Sequence, residues 1–304
     1  AFAYIGITAH EALATGNPRL VSLAGQVNGL TALPARTESD LDAPCVLHAA
    51  LQAAVGELFA NTGPTGQRAM EAMGRRMGER AGAGIGAGVM ERSVAHGQAV
   101  ARHILAWSRE DGGAVIENMG FPMEYTPGTR PQDWVPTNLI RLQQAPLLPQ
   151  WATCRPFAIP TADACDAPPP PAYDEAAGSE FHSHALEVYE TARGLTDEQK
   201  LIARFWSDDP MLTPTPAGHW IAIVLQIAER DALPVELVSS TLAKLGVAQA
   251  DAFISCWSTK FRYNLLRPVT YIRRNIDPNW EPLLITPPFP EYTSGHSTQS
   301  GAAS

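Results

Sequence analysis

The sequence predicts an all-α fold of two packed helical bundles, on three observations. Apolar residues recur at helical spacing through most segments, and almost nothing alternates with period two. One long Pro-rich stretch then separates two helical regions. With 304 residues, 45% of them hydrophobic, there is apolar material for one large core or two adjoining ones.

Residues 1–14 read as the first helix. Residues 41–58, rich in Ala and Leu, give the second, and 67–80 give a charged, Met-containing third. The next helix covers 91–107. Between these last two lies Ala81-Gly82-Ala83-Gly84-Ile85-Gly86-Ala87-Gly88. Its spacing is not GxGxxG and no strand precedes it, so it reads as a flexible joint between helices, not a phosphate cradle. Together these segments form an N-terminal bundle, residues 1–110.

Periodicity dissolves over 111–173, which holds Pro168-Pro169-Pro170-Pro171 and many aromatic residues. Such a stretch predicts an irregular crossover lying on the helical body. Helices resume at 174–192. Thr196-Asp197-Glu198-Gln199 has the form of a capping box opening the next one. Segments 216–231 and 234–257 follow, the latter with Pro near its first turn. Residues 174–304 are expected to form a second, C-terminal bundle. Both chain ends read as cut, since residue 1 is Ala and the last segment stops where a helix begins.

Charge excludes some partners. Against 31 acidic residues stand 22 Lys and Arg, a net −9, whereas nucleic acid and anionic membranes demand dense basic residues. The longest apolar run, around His219 to Leu225, is far too short to span a bilayer, so a soluble globular protein is expected. Cys45 and Cys256 lie on apolar helical stretches and read as small buried hydrophobes. Cys154 and Cys165 lie in the crossover. They are either a loop disulfide, which implies an oxidising compartment, or two unrelated thiols. No CxxC or HxxxH spacing accompanies them, which argues against zinc.

Chemistry concentrates in the last fifty residues. Lys260 and Arg267 are seven apart, so on one continuous helix they would share a face, with Pro268 ending that helix. Two neighbouring cations repel unless an anion sits between them. Further on, Pro287-Pro288-Phe289-Pro290 leads into Ser294-Gly295-His296 and a run of small residues that can start a helix. Backbone N–H groups at a helix start bind oxyanions, and Gly295 permits close approach. Ser294 adds a hydroxyl, and His296 a group that titrates near neutrality. Together they make an oxyanion pocket with an acid/base.

These residues resemble the vanadium-dependent haloperoxidase and type 2 phosphatidic acid phosphatase superfamily. Lys260-x6-Arg267-Pro268 matches its first signature block, KxxxxxxRP. Ser294-Gly295-His296 matches its second, PSGH, with Thr293 where Pro is usual. The third block, SRxxxxxHxxxD, needs more residues than follow His296. The His that binds vanadium directly is therefore expected beyond Ser304, and the chain as it stands is expected to be an inactive fragment.

The resemblance implies a vanadate cofactor, for which phosphate can substitute, bound by Lys260, Arg267, Ser294, Gly295 and His296. His296 would be the acid/base, and Lys260 would also polarise bound peroxide. Trp257, three residues before Lys260, and Phe289, five before Ser294, match aromatic residues on the halide side of chloroperoxidase-like members. They favour a haloperoxidase using hydrogen peroxide, halide and a small organic acceptor. The alternatives are an acid phosphatase acting on phosphate monoesters and a non-catalytic helical protein that binds oxyanions. Asp209 matches an acidic residue that braces the oxyanion-binding Arg, although Asp208 and Asp209 equally suit a plain helix-end turn. His219 reads as a capping or packed residue. Family habit implies a periplasmic or secreted location.

Overall fold

The computed structural model describes residues 1–113, 116, 125–137, 145–208 and 213–304. Among them the secondary structure is helical, without a strand, and the one extended pairing is a single bridge between Asp133 and Leu265. The first four helices are α1 (Phe2–Ala14), α2 (Ala43–Leu58), α3 (Pro64–Gly82) and α4 (Ala87–Ser108). After the crossover, whose described residues include a 3-10 turn at Trp151–Thr153, come α5 (Glu180–Gly194), α6 (Asp197–Phe205) and α7 (Thr215–Arg230). The long α8 (Val235–Tyr263), then α9 (Pro268–Asn275) and α10 (Gly295–Ala303), complete the set. No helix among the described residues is long and apolar enough to cross a membrane.

Local chemistry explains the boundaries. Asp42 caps α2 by accepting from the Cys45 N–H, and Pro44 fits the first turn, where no N–H is needed. The Thr196 capping box is complete on α6, both side chains bonding the opposite backbone N–H. The Gly-rich joint separates α3 from α4, with Gly84 at φ +77°, a conformation glycine adopts without strain. The helix expected from 174 opens only at 180. Asp174 Oδ1 instead accepts from the Ala176 N–H in a local turn, and Ser179 supplies the cap.

Close helix contact sets the main core. A Cβ on Gly6 would lie 2.6 Å from the Leu242 carbonyl oxygen, and one on Gly246 2.6 Å from Ala3 Cα. Glycine at these two positions is what lets α1 and α8 meet backbone to backbone. Around that contact Tyr4, Ile7, Ile104, Trp107, Phe157 and Ala243 form one apolar cluster. The crossover is pinned to it by charge: buried Asp251 on α8 accepts from the N–H groups of Phe157, Ala158 and Ile159 at 2.6, 2.7 and 3.0 Å. A second cluster joins α5 to α9 through Ala185, Leu266, Val269, Tyr271 and Ile272.

The loop disulfide is not formed. All four cysteines are free thiols. Cys154 is buried against Ile116 and Ile254, while Cys165 is exposed in the crossover, so packing holds the two sulfurs in different environments. Cys45 and Cys256 are buried, as their apolar surroundings predict.

Candidate functional site

Lys260 and Arg267 do come together, but not along one helix. Helix α8 stops at Tyr263, because Asn264 takes the left-handed conformation (φ 46°, ψ 40°) and donates its N–H back to the Lys260 carbonyl. Asn tolerates that conformation better than most residues. Leu265 and Leu266 then run extended, and Arg267 is the N-cap of α9 with Pro268 in its first turn. Pro268 therefore starts a helix where the sequence suggested a stop, and its ring holds Arg267 extended (φ −79°, ψ 151°).

The meeting place is the loop from Pro287 to Glu291. Lys260 is 1% exposed, and its Nζ donates to the carbonyls of Pro290 at 2.8 Å and Glu291 at 3.0 Å. The same ammonium sits 5.0 Å from the Phe289 ring centre and 5.7 Å from that of Trp257. The Arg267 guanidinium lies 5.6 Å from the Phe289 ring, and its Nη1 pairs with Glu291 Oε2 at 2.9 Å. Burial, above all, pushes the Lys260 pKa down to about 8, and the Arg267 charge adds to this while Cys256 and Glu291 oppose it. Burial likewise lowers the pKa of Arg267, with Glu291 opposing.

Aromatic residues frame these cations. Trp257 is 3% exposed, stacked on Phe253 at 3.8 Å, tilted against Phe289 at 5.1 Å, and held by its Nε1 on the Leu147 carbonyl. Backbone bonds from Leu147 to Pro288 and from Glu291 to Leu265 fix the loop's height against the crossover and the α8–α9 connection. The Trp257 ring also touches the start of α10: a Cβ on Gly295 would lie 3.7 Å from its Cζ3. Ser294 caps α10 by accepting from the Ser297 N–H. His296, exposed on the first turn, places its Nε2 2.8 Å from the Ser207 carbonyl.

The structure adds Glu291 to the site and joins Asp208 to His219. Glu291 pairs its carboxylate with Arg267 and offers its backbone carbonyl to Lys260, so it puts a negative charge beside the two cations where the repulsion argument expects a ligand. Its only signal was a carboxylate inside the block that leads to Ser-Gly-His. Asp208, buried just after α6, places its carboxylate oxygens 3.0 and 3.2 Å from His219 Nδ1, and the His219 ring stacks on Trp206 at 4.7 Å. His219 is thus the partner of a carboxylate, more than a packed residue. Asp209 lies outside the described residues.

Known proteins share this fold. Residues 240–304 match the family model described as the VCPO second helical-bundle domain. A bacterial vanadium-dependent iodoperoxidase of known structure is 36% identical, with a TM-score of 0.87 over 99% of this chain and 72% of that one. The chain belongs to the vanadium-dependent haloperoxidase family. Apo and holo structures of a bacterial vanadium-dependent chloroperoxidase share the fold at 15% identity, with TM-scores of 0.71 and 0.69; the alignments cover 99% of this chain and 74% and 72% of those chains. No curated protein matches the chain by sequence.

The residues of this haloperoxidase fit a tetrahedral oxyanion such as vanadate. Buried Lys260 and half-buried Arg267 stand against one carboxylate, that of Glu291, which leaves the site positive. Arg267 Nε is buried without a hydrogen-bond partner, a costly arrangement that an anion would relieve. The Ser294 hydroxyl accepts a bond and has its own hydrogen to give. As at any helix start, the first N–H groups of α10 lack partners within the helix.

Proposed function

We propose that this haloperoxidase oxidises halide with hydrogen peroxide at a vanadate held by Lys260, Arg267, Ser294, Gly295 and His296. One observation carries the assignment of these residues: buried Lys260 and half-buried Arg267 converge on Phe289 and Glu291 while the buried Arg267 Nε has no partner. When bound, vanadate supplies a Lewis-acidic centre that activates peroxide toward halide without a change of metal redox state.

Each side chain has a defined task. Two of the three Lys260 ammonium hydrogens are taken by carbonyls, which aims the third. Because this ammonium is buried among aromatic rings, its field is screened little, and no reorientation is needed when negative charge develops. Arg267 is held ready by Glu291 and by its place before Pro268. The start of α10 offers N–H groups to oxygen, and Ser294 a hydroxyl. His296, exposed on the first turn of α10, moves the proton. Trp257 and Phe289 keep water from the halide side. The similarity to an iodoperoxidase supports iodide as the first halide, with a small organic molecule as acceptor of the oxidised halogen.

The test is iodide oxidation by peroxide with orthovanadate-loaded protein that extends past Ser304 to include the expected third block, set beside hydrolysis of an aryl phosphate. Vanadate-dependent oxidation is expected, falling by roughly 10²- to 10⁴-fold in His296→Ala. Aryl phosphate hydrolysis without halide oxidation at any vanadate concentration would overturn the reading in favour of a phosphatase.

A further inference from the structure

We propose that Asp208 and His219 are positioning residues for His296, acting through the Ser207 carbonyl to hold the imidazole as its Nε2–H tautomer. A backbone carbonyl only accepts hydrogen bonds. The 2.8 Å contact from His296 Nε2 to Ser207 O therefore places the ring proton on Nε2, and Nδ1 carries the free lone pair. The atom that exchanges protons in the pocket is then Nδ1. This inference rests on His296 being the acid/base.

What fixes the Ser207 carbonyl is the next residue. Phe205 and Trp206 are 61% and 46% exposed, so no core holds this turn. Asp208 has a left-handed backbone (φ 43°) and a buried carboxylate, and its side-chain partner is His219 on α7. A carboxylate accepts, so His219 Nδ1 donates. Trp206 lies flat on the His219 ring, 14° from parallel, and Phe205 meets the same ring edge-on at 5.4 Å. His219 thus gathers the whole turn from Phe205 to Asp208. The next residue on α7, Trp220, donates from Nε1 to Ser300 Oγ on α10 at 3.2 Å. Adjacent residues of one helix therefore tether both the acceptor of His296 and the helix that carries it. The arrangement resembles the way an outer partner fixes the tautomer of a working histidine elsewhere.

NMR of the full chain with isotope-labelled histidine reads the tautomer directly, using His296→Gln to identify the His296 signals. Neutral His296 is expected as Nε2–H in the wild type. Asp208→Asn, which tolerates the left-handed backbone, and His219→Gln should each raise the Nδ1–H population several-fold while helix content is unchanged. A wild-type His296 in the Nδ1–H form would overturn the proposal without any variant. An unchanged tautomer ratio in either folded variant would overturn the positioning role. Absence of halide oxidation alongside the expected tautomers would count against the proposed function and leave this inference standing.

Discussion

Raising the pH should weaken oxyanion binding through one side chain. Lys260 is 1% exposed, and burial brings its pKa from 10.5 to about 8. Above that value the ammonium becomes a neutral amine, and an anion must pull a proton back on as it binds. Phosphate affinity is then expected to fall by up to about tenfold per pH unit above pH 8.5, where phosphate itself stays dianionic. Stability moves the other way. Below pH 8 native and unfolded states both carry the proton, and the cost of burying the charge is fully felt. Between about 8 and 10.5 the unfolded state holds more protons, so stability rises with pH, by at most roughly 3 kcal/mol from this group. Lys260→Met should abolish this contribution to both slopes and weaken phosphate at pH 7 by roughly ten- to a hundredfold, the worth of one charge-assisted hydrogen bond. Calorimetric titration with phosphate at pH 7 to 10, and urea unfolding over the same range, read the two effects. Equal dissociation constants at pH 7.5 and 9.5, or a Met variant that keeps the wild-type slope, would refute this role for Lys260.

Other substitutions probe separate parts. Glu291→Gln removes the carboxylate that competes for Arg267, so phosphate should bind several-fold more tightly; the side chain is 38% exposed, which keeps the gain to about 1 kcal/mol. Calorimetry at pH 7 checks it, and weaker binding would contradict it. Gly6→Ala inserts a methyl 2.6 Å from the Leu242 carbonyl oxygen and should cost at least about 1–3 kcal/mol in urea unfolding, because that neighbour is backbone and cannot turn aside. Denatured protein without reductant should titrate four thiols; two would restore the Cys154–Cys165 bridge.

Much of the helical body was legible because its cause is local. Periodicity marks α1 and α2, and the capping box at Thr196 marks α6, within a few residues of chain. The connection from α8 to α9 differs from the sequence expectation for a physical reason. Leu265 and Leu266 continue the apolar pattern, so periodicity alone runs through a break that the left-handed Asn264 makes. Asn264 followed by the pre-proline Arg267 was the available signal, and it pointed to a new helix start. The motif marks the cations, yet their meeting depends on carbonyls about thirty residues away. Nothing near Lys260 announces the Pro290 and Glu291 oxygens. The Asp208–His219 pair has the same origin, since periodicity does not encode the meeting of two side chains eleven residues apart.

The most direct measurement is a crystal structure of the protein grown with orthovanadate. Density for a tetrahedral or five-coordinate anion is expected in contact with Lys260 Nζ, Arg267 Nε, the Ser294 hydroxyl and the first N–H groups of α10. Vanadate bound elsewhere, or an Arg267 Nε that stays unpartnered at saturating vanadate, would contradict the site.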